Sequence, residues 1–226
     1  MSTSRRLIPL WIKVAYTAFM AVLIPIYLKN YGPTNFLYLC DVAILMTLVG
    51  IWLESPVILS APLVGIFWPQ MLWVVDFCFV LCGSEVVGWT HYMFKPPFFL
   101  RFLSFFHFWL PFLLLYLVWR VGYDKRGFLL WIGITWVVLT VCYVYMPPTS
   151  PEKDPVTGQQ LRNPDLPLNI NYVFNLASDD EPQKWMDPDS YFALILVAMV
   201  LGVYVPTHFM CQRFLPAPRR QEASTS

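Results

Sequence analysis

Long runs of apolar residues constrain the fold of this chain more than any other feature. An α-helix needs about 20 mainly apolar residues to cross the hydrocarbon core of a bilayer. Runs of that order recur along the sequence, so it predicts an all-α fold: one transmembrane domain over residues 1–226, built as a bundle of about six helices. The predicted helices cover residues 7–28, 35–52, 56–82, 98–119, 128–145 and 190–210.

The composition agrees with a chain surrounded by lipid. Hydrophobic residues make up 58% of the sequence and charged residues 13%, whereas soluble domains carry about 25% charged residues. The 10 Trp and 18 Phe residues suit the two interfaces of a membrane. A net charge of +1 gives no basis for a nucleic-acid partner. The predicted partner is therefore the lipid bilayer.

The third run, 56–82, is long and contains Pro62, Pro69 and Gln70. It reads either as one tilted or kinked span or as a re-entrant pair. Two helices would have only about 13 residues each, which is too short to cross. We therefore predict a single span.

The distribution of Lys and Arg predicts the orientation. The first run is too long for a signal peptide and no small-residue cleavage site follows it, so it is predicted to be a retained anchor. Cytoplasmic N- and C-termini put most of the 15 basic residues inside, as the positive-inside rule favours. The predicted inner set is Arg5, Arg6, Lys13, Arg120, Lys125, Arg126, Arg213, Arg219 and Arg220.

One long acidic, Pro-rich loop, 146–189, is predicted outside the membrane. Its middle, "LNINYVFNL" (168–176), roughly alternates polar and apolar residues, which indicates an ordered strand-like segment or lid. The alternative is a solvated linker with one apolar patch. If the protein has a protein partner, this loop is the predicted contact surface.

Asp41 lies in the otherwise apolar stretch "FLYLCDVAIL". A charge deep in a bilayer costs about 2.5–3.5 kcal/mol on insertion scales, so something must compensate for it. At 1.5 Å per residue, Asp41, Asp76 and His107 lie roughly 9, 10 and 13 Å below the outer ends of three predicted helices. The sequence therefore predicts that they meet in a polar pocket in the outer half of the bundle.

Three further residues are predicted to contribute to this pocket: Tyr38, Gln70 and Arg101. Tyr38 precedes Asp41 by three residues, and Arg101 begins a polar stripe that continues to His107. Pro111 cannot donate to the carbonyl of His107, which leaves that carbonyl free for a ligand or another helix. The alternative is that these polar groups only link helices.

No motif assigns catalytic residues, a cofactor or a metal. Two carboxylates and a His could in principle bind a divalent cation, but the metal-binding spacings HExxH, HxH and DxxD are absent. The three His residues do not offer a matched pair for haem. The five Cys residues lie in or beside apolar runs, which argues against a disulfide framework.

Three stretches, "NFLYLCDVAIL", "HFWLP" and "NINYVFNL", occur in that order. In this the chain resembles a group of uncharacterised bacterial polytopic integral-membrane proteins and, more loosely, the YwaF-type hypothetical membrane proteins. The YwaF-type pattern has a Pro after its "NY" segment, which Pro182 supplies only loosely. The resemblance implies a bacterial inner-membrane protein and carries no established activity.

The leading functional expectation is a membrane protein that handles a small solute, ion or proton through Asp41, Asp76 and His107. One alternative is an intramembrane enzyme acting on a lipid-linked substrate, with Asp41 or Asp76 as base, His107 as acid or base and Arg101 on a phosphate. The other is a non-catalytic scaffold that docks partners through residues 146–189.

Overall fold

Helices form the fold of the computed structural model, which describes residues 7–84, 86, 89–148, 166–176 and 183–218, and no strand occurs among them. The α-helices are α1 (Leu10–Tyr31), α2 (Leu39–Leu53), α3 (Pro56–Leu81), α4 (Phe98–Ser104), α5 (Phe106–Val121), α6 (Arg126–Tyr145), α7 (Pro188–Ala198) and α8 (Val205–Phe214). The consecutive pairs α4–α5 and α7–α8 each make one longer rod, so the bundle has six rods.

Five of these rods are long and apolar enough to cross a membrane. The predicted all-α bundle of about six helices is therefore confirmed, and its apolar helices suggest a membrane protein. The five rods span Leu10–Tyr31, Pro56–Leu81, Phe98–Val121, Arg126–Tyr145 and Pro188–Phe214.

Helix α2 is shorter than the predicted second span. It has 15 residues, or about 22 Å of helix against the roughly 30 Å of a hydrocarbon core. Gly32 ends α1 with a positive φ of 76°, and Pro33–Leu37 then forms a 3₁₀ turn where the prediction began an α-helix. This turn moves the start of α2 to Leu39, two residues before Asp41.

Helix α3 is one continuous helix of 26 residues, as the single span predicted for this run requires. It lies at the centre of the bundle and packs against α2, α5 and α6. Gly65 allows the approach of α6, because a Cβ there would lie 1.7 Å from Nε1 of the fully buried Trp131. The close packing of α3 against α6 therefore requires a glycine at position 65.

Two of the long rods are interrupted, each for an identifiable reason. Between α4 and α5 the N–H of Phe108 donates to the carbonyl of Phe105, one residue nearer than the α-helical partner. Between α7 and α8 residues Met199–Tyr204 form a π-helix. Pro206 lies just after this π-helix. A proline has no N–H, and its ring clashes with the carbonyl four residues back in an α-helix. The wider π-helical turn accommodates it.

The segment 166–176 is folded against the bundle, but not as a strand. It forms a 3₁₀ turn at Ile170–Tyr172, in which Asn171 and Tyr172 have positive φ, so the strand-like alternative is wrong. Ile170 and Val173 are fully buried in a cluster with Leu139 and Cys142 of α6, which contradicts a solvated linker here. Residues 149–165 and 177–182 of the predicted loop lie outside the described residues.

Candidate functional site

The three predicted site residues lie at one end of the bundle, which we call the Asp41 end. Asp41 is in the first turn of α2, Asp76 is close to the end of the antiparallel α3, and His107 is at the start of α5. Within the described residues no hydrogen bond or ion pair joins any two of the three, and each has partners of its own. They therefore do not form the direct trio that the sequence predicts.

Asp41 is a buried carboxyl that is only half satisfied. Its side chain is 3% exposed. Oδ2 accepts a hydrogen bond of 2.9 Å from Nδ2 of Asn35 in the preceding 3₁₀ turn, while Oδ1 has no partner. The carboxyl also interacts electrostatically with the Tyr27 hydroxyl of α1. A buried acceptor without a partner costs about 1–3 kcal/mol, so this oxygen is poised to receive a proton or a cation.

Asp76 is a satisfied carboxylate. It is fully buried and accepts from the N–H of Val86 at 3.1 Å and from both the N–H and the hydroxyl of Thr90, at 3.0 and 2.9 Å. These bonds fasten the segment after α3 to the helix. Counted from the α2–α3 turn, Asp76 lies about 10 Å beyond Asp41, because α2 is short. The predicted equal depth of the two carboxyls is therefore wrong.

His107 occupies the helix break between α4 and α5. Its Nδ1 lies 2.8 Å from the carbonyl of Ser104, which the break frees from its α-helical partner. A carbonyl only accepts, so Nδ1 carries the hydrogen. The hydroxyl of the same Ser104 lies 2.8 Å from the Tyr27 hydroxyl. Ser104 therefore joins α1 to the imidazole through two different atoms.

Gln70 and Trp73 extend this connection into α3. The indole of Trp73 stacks on His107 with ring centroids 5.3 Å apart. Gln70 lies one turn before Trp73 and is 3% exposed. Neither the oxygen nor the nitrogen of its carboxamide has a partner, and the Trp73 Nε1 also has none. Buried polar groups are nearly always hydrogen-bonded, so three such atoms one turn apart mark a place where a water, an ion or another ligand can bind.

These residues form a continuous row across the bundle, which we call the polar string. It has an unpartnered polar atom at each end, Asp41 Oδ1 in α2 and the Gln70 carboxamide in α3. Direct interactions join the four middle members: hydrogen bonds link Tyr27 to Ser104 and Ser104 to His107, and ring stacking links His107 to Trp73. Gln70 lies one helical turn before Trp73, and Asp41 acts on Tyr27 through its charge without a hydrogen bond. In order, the polar string consists of Asp41, Tyr27, Ser104, His107, Trp73 and Gln70.

The other two predicted site residues support the backbone around the polar string. The carbonyl of Tyr38 accepts from the N–H of Asp41 at 2.9 Å and from that of Val42 at 3.0 Å, which opens the first turn of α2. The guanidinium of Arg101 donates through Nε to the carbonyl of Pro96 at 3.1 Å.

Sequence reasoning missed Asn35, Tyr27 and Asn171 as contributors to the site. Asn171 donates through Nδ2 to the Leu37 carbonyl at 2.7 Å and accepts at Oδ1 from the Leu39 N–H at 2.9 Å. It thereby clamps the junction between the 3₁₀ turn and α2. Asn35 carried the one local signal, since it lies six residues before Asp41 in the same motif.

Two carboxylates at the opposite end, which we call the Glu54 end, are paired with basic side chains. Lys13 Nζ lies 2.7 Å from Oε1 of Glu54, whose carboxylate also accepts from the N–H groups of Leu7 and Ile8. Burial alone would raise the pKa of Glu54, but the hydrogen bonds from Lys13, Leu7 and Ile8 outweigh it and hold that pKa below its usual range. The Glu54 carboxylate is therefore ionised, and both of its oxygens make interactions that stabilise the fold.

Asp124, in the α5–α6 loop, is the second paired carboxylate of this end. It receives the Arg126 guanidinium at 2.7 Å, and hydrogen bonding from Arg126 lowers its pKa despite burial.

No group of three or more His, Cys, Asp or Glu side chains among the described residues is placed to hold a metal ion.

Comparison with known proteins adds no family. No protein-family model, no curated protein and no solved structure matches this chain.

Proposed function

We propose that this chain is a bacterial inner-membrane protein that handles a proton or a small cation through the polar string. The observation that carries the proposal is the Asp41 carboxyl, which is buried with one oxygen bonded to Asn35 and the other without a partner. An ionisable group inside a membrane bundle is expensive to keep and is by default a functional site.

The middle of the string suits proton movement. Tyr27 and Ser104 face each other as two hydroxyls, either of which can donate. Hydroxyls both donate and accept, so the direction of this bond can reverse. His107 donates through Nδ1 to the Ser104 carbonyl, and its second nitrogen can exchange a proton. Hydroxyl and imidazole chains of this kind are typical of proton relays in membrane proteins.

The size of the site favours an ion over a larger solute. Asp41 and Gln70 are each 3% exposed, and the string is packed between helices. So closed a site suits a proton or a dehydrated small cation better than a larger solute. Oxygen ligands suit hard cations, and Asp41 Oδ1 and Gln70 Oε1 are the two unpartnered oxygens of the string.

The proposed orientation places the N- and C-termini in the cytoplasm and the Asp41 end outside, as the positions of Lys and Arg favour. The enzyme alternative has less support, since Asp76 already accepts three hydrogen bonds and Arg101 is bonded to the Pro96 carbonyl. The scaffold alternative depends on residues 146–189, of which only part is described.

The test is ion flux in proteoliposomes that hold the purified full-length chain and an internal pH-sensitive dye. We expect an imposed sodium, potassium or proton gradient to produce a proton or cation flux that Asp41→Asn abolishes and His107→Ala reduces. Asp189→Asn is the matched control and should keep full flux, because it removes an exposed carboxylate near the start of α7 whose side chain, among the described residues, bonds to Tyr143 alone.

Two results would end the proposal: absence of flux from folded wild-type protein under all three gradients, or flux that survives Asp41→Asn and His107→Ala combined. Infrared difference spectra between acid and neutral pH supply a second readout. A carboxyl signal that disappears only in Asp41→Asn would identify Asp41 as the protonated group.

A further inference from the structure

Two adjoining cavities lie at the Glu54 end, far from the polar string. The first has a volume of about 450 Å³ and includes Lys125, Arg126 and Gln212 in its lining. The second has a volume of about 180 Å³ and includes Phe67, Leu115 and Met210. Leu215 lines both, so the two cavities adjoin at this side chain.

The first cavity has a mixed lining, with charged side chains on one side and Leu215, Pro216, Ala217 and Pro218 on the other. The N–H of Tyr123 donates to the Pro216 carbonyl at 2.7 Å, which fastens the segment after α8 to the α5–α6 loop. The Asp124 carboxylate neutralises Arg126 at 2.7 Å. Lys125 is exposed and, among the described residues, has no ion-pair partner. One cationic charge therefore remains uncompensated at the cavity.

The second cavity is apolar and reaches into the bundle. It lies between α3, α5 and α8, and Leu115 is about 9 Å along α5 from its end at Val121. Phe214, at its rim, is 75% exposed, so the cavity opens towards the surroundings of the bundle. An apolar cavity of about 150 Å³ stays dry and holds a benzene-sized molecule. A space of 180 Å³ therefore suits a short length of hydrocarbon chain.

We infer that the two cavities together bind one anionic phospholipid, with its phosphate beside Lys125 and the upper part of one acyl chain against Phe67, Leu115 and Met210. The positive charge suits the phosphate of such a lipid, and the apolar second cavity suits the acyl chain. Leu215, which lines both cavities, lies where these two parts of the lipid join. The site lies at the end where Arg120, Lys125, Arg126 and Arg213 are concentrated. Anionic lipid attracts basic residues near a membrane surface.

The inference is tested by native mass spectrometry of the full-length protein in detergent, titrated with phosphatidylglycerol or with phosphatidylcholine of the same chains. We expect one phosphatidylglycerol to bind at least fivefold more tightly than phosphatidylcholine. Lys125→Gln should weaken phosphatidylglycerol binding about fivefold, because a basic residue near an anionic headgroup contributes about a factor of five. Leu215→Trp should block binding of both lipids by filling the junction.

Lys29→Gln, a charge removed from the opposite end of α1, is the control and should bind phosphatidylglycerol as the wild type does. Equal affinity for the two lipids, or unchanged binding by Lys125→Gln, would overturn the inference. A third arm measures the melting temperature with inorganic phosphate alone. If phosphate raises it as much as phosphatidylglycerol does, the apolar cavity takes no part and the lipid assignment is wrong.

Discussion

The polar string and the Glu54 end treat buried polar groups in opposite ways. At the Glu54 end, Glu54 receives Lys13 and two backbone N–H groups. At the Asp41 end, the polar string finishes in an unpartnered carboxyl oxygen and an unpartnered carboxamide. A paired group contributes to folding, whereas an unpartnered one opposes it. The difference separates polar residues that stabilise the fold from those that do not.

The largest expected effect is at the paired end. Glu54→Ala leaves Lys13 buried without its partner and frees two N–H groups, so we expect a loss of about 3–5 kcal/mol in the free energy of unfolding. Denaturant titration in detergent measures it. The double variant Lys13→Met with Glu54→Leu should recover part of the loss, because it removes both charges. A loss below about 1 kcal/mol for Glu54→Ala would remove the contrast between the ends.

The junction before α2 should respond next. Asn171→Ala removes the bonds to Leu37 and Leu39, and we expect a loss of about 1–3 kcal/mol. Hydrogen exchange should speed up at the first turn of α2, where Asp41 lies. Asn30→Ala is the control, because its exposed amide bonds only within α1. Unchanged exchange at residues 39–42 would show that the clamp does not position Asp41.

The unpartnered end should give an effect of opposite sign. Gln70→Leu replaces a buried carboxamide that has no partners, so we expect a gain of about 1–2 kcal/mol in stability together with lower flux. Gln183→Leu is the matched control: its carboxamide donates to Met186 and accepts from Trp185 and Met186, so the same change should destabilise. If both substitutions destabilise, Gln70 is structural and the contrast fails.

The smallest expected effect is in the pH dependence of stability. The pKa values of Glu54 and Asp124 are lowered in the folded protein. Their contribution is therefore complete above the unfolded values of about 4.3 and 3.9 and is lost as the pH falls through the lower folded values. Melting curves from pH 7 to pH 3 should show this loss. The decline should be shallower in Glu54→Gln, and an equally steep decline would exclude Glu54 as its source.

The sequence predicts the rods well, because the length of an apolar run can be counted from consecutive residues. It also identifies Asp41 as a buried carboxyl, since the residues on both sides of it are apolar and the side chain is 3% exposed. It does not predict the start of α2, because Pro33, Thr34 and Asn35 suit the first turn of an α-helix and a 3₁₀ turn equally well.

The partners within the site are beyond sequence reasoning for a different reason. Tyr27 and Ser104 are 77 residues apart, and Asn171 and Leu39 are 132 apart. No periodicity encodes such pairs, since packing of whole rods brings them together. The satisfied state of Asp76 escaped prediction in the same way, because Thr90 reaches it only once the chain after α3 turns back over the helix end.

The break after Ser104 makes α4 a short arm hinged on the long rod of α5. Ser104 is the last residue of that arm. Its hydroxyl is hydrogen-bonded to the Tyr27 hydroxyl, and its carbonyl accepts from Nδ1 of His107. A movement of α4 by the length of a single hydrogen bond would break the polar string at Ser104. Asp41 and Gln70, at its two ends, would not change. Under the proposed function, proton movement along the string would then depend on the angle of a seven-residue helix.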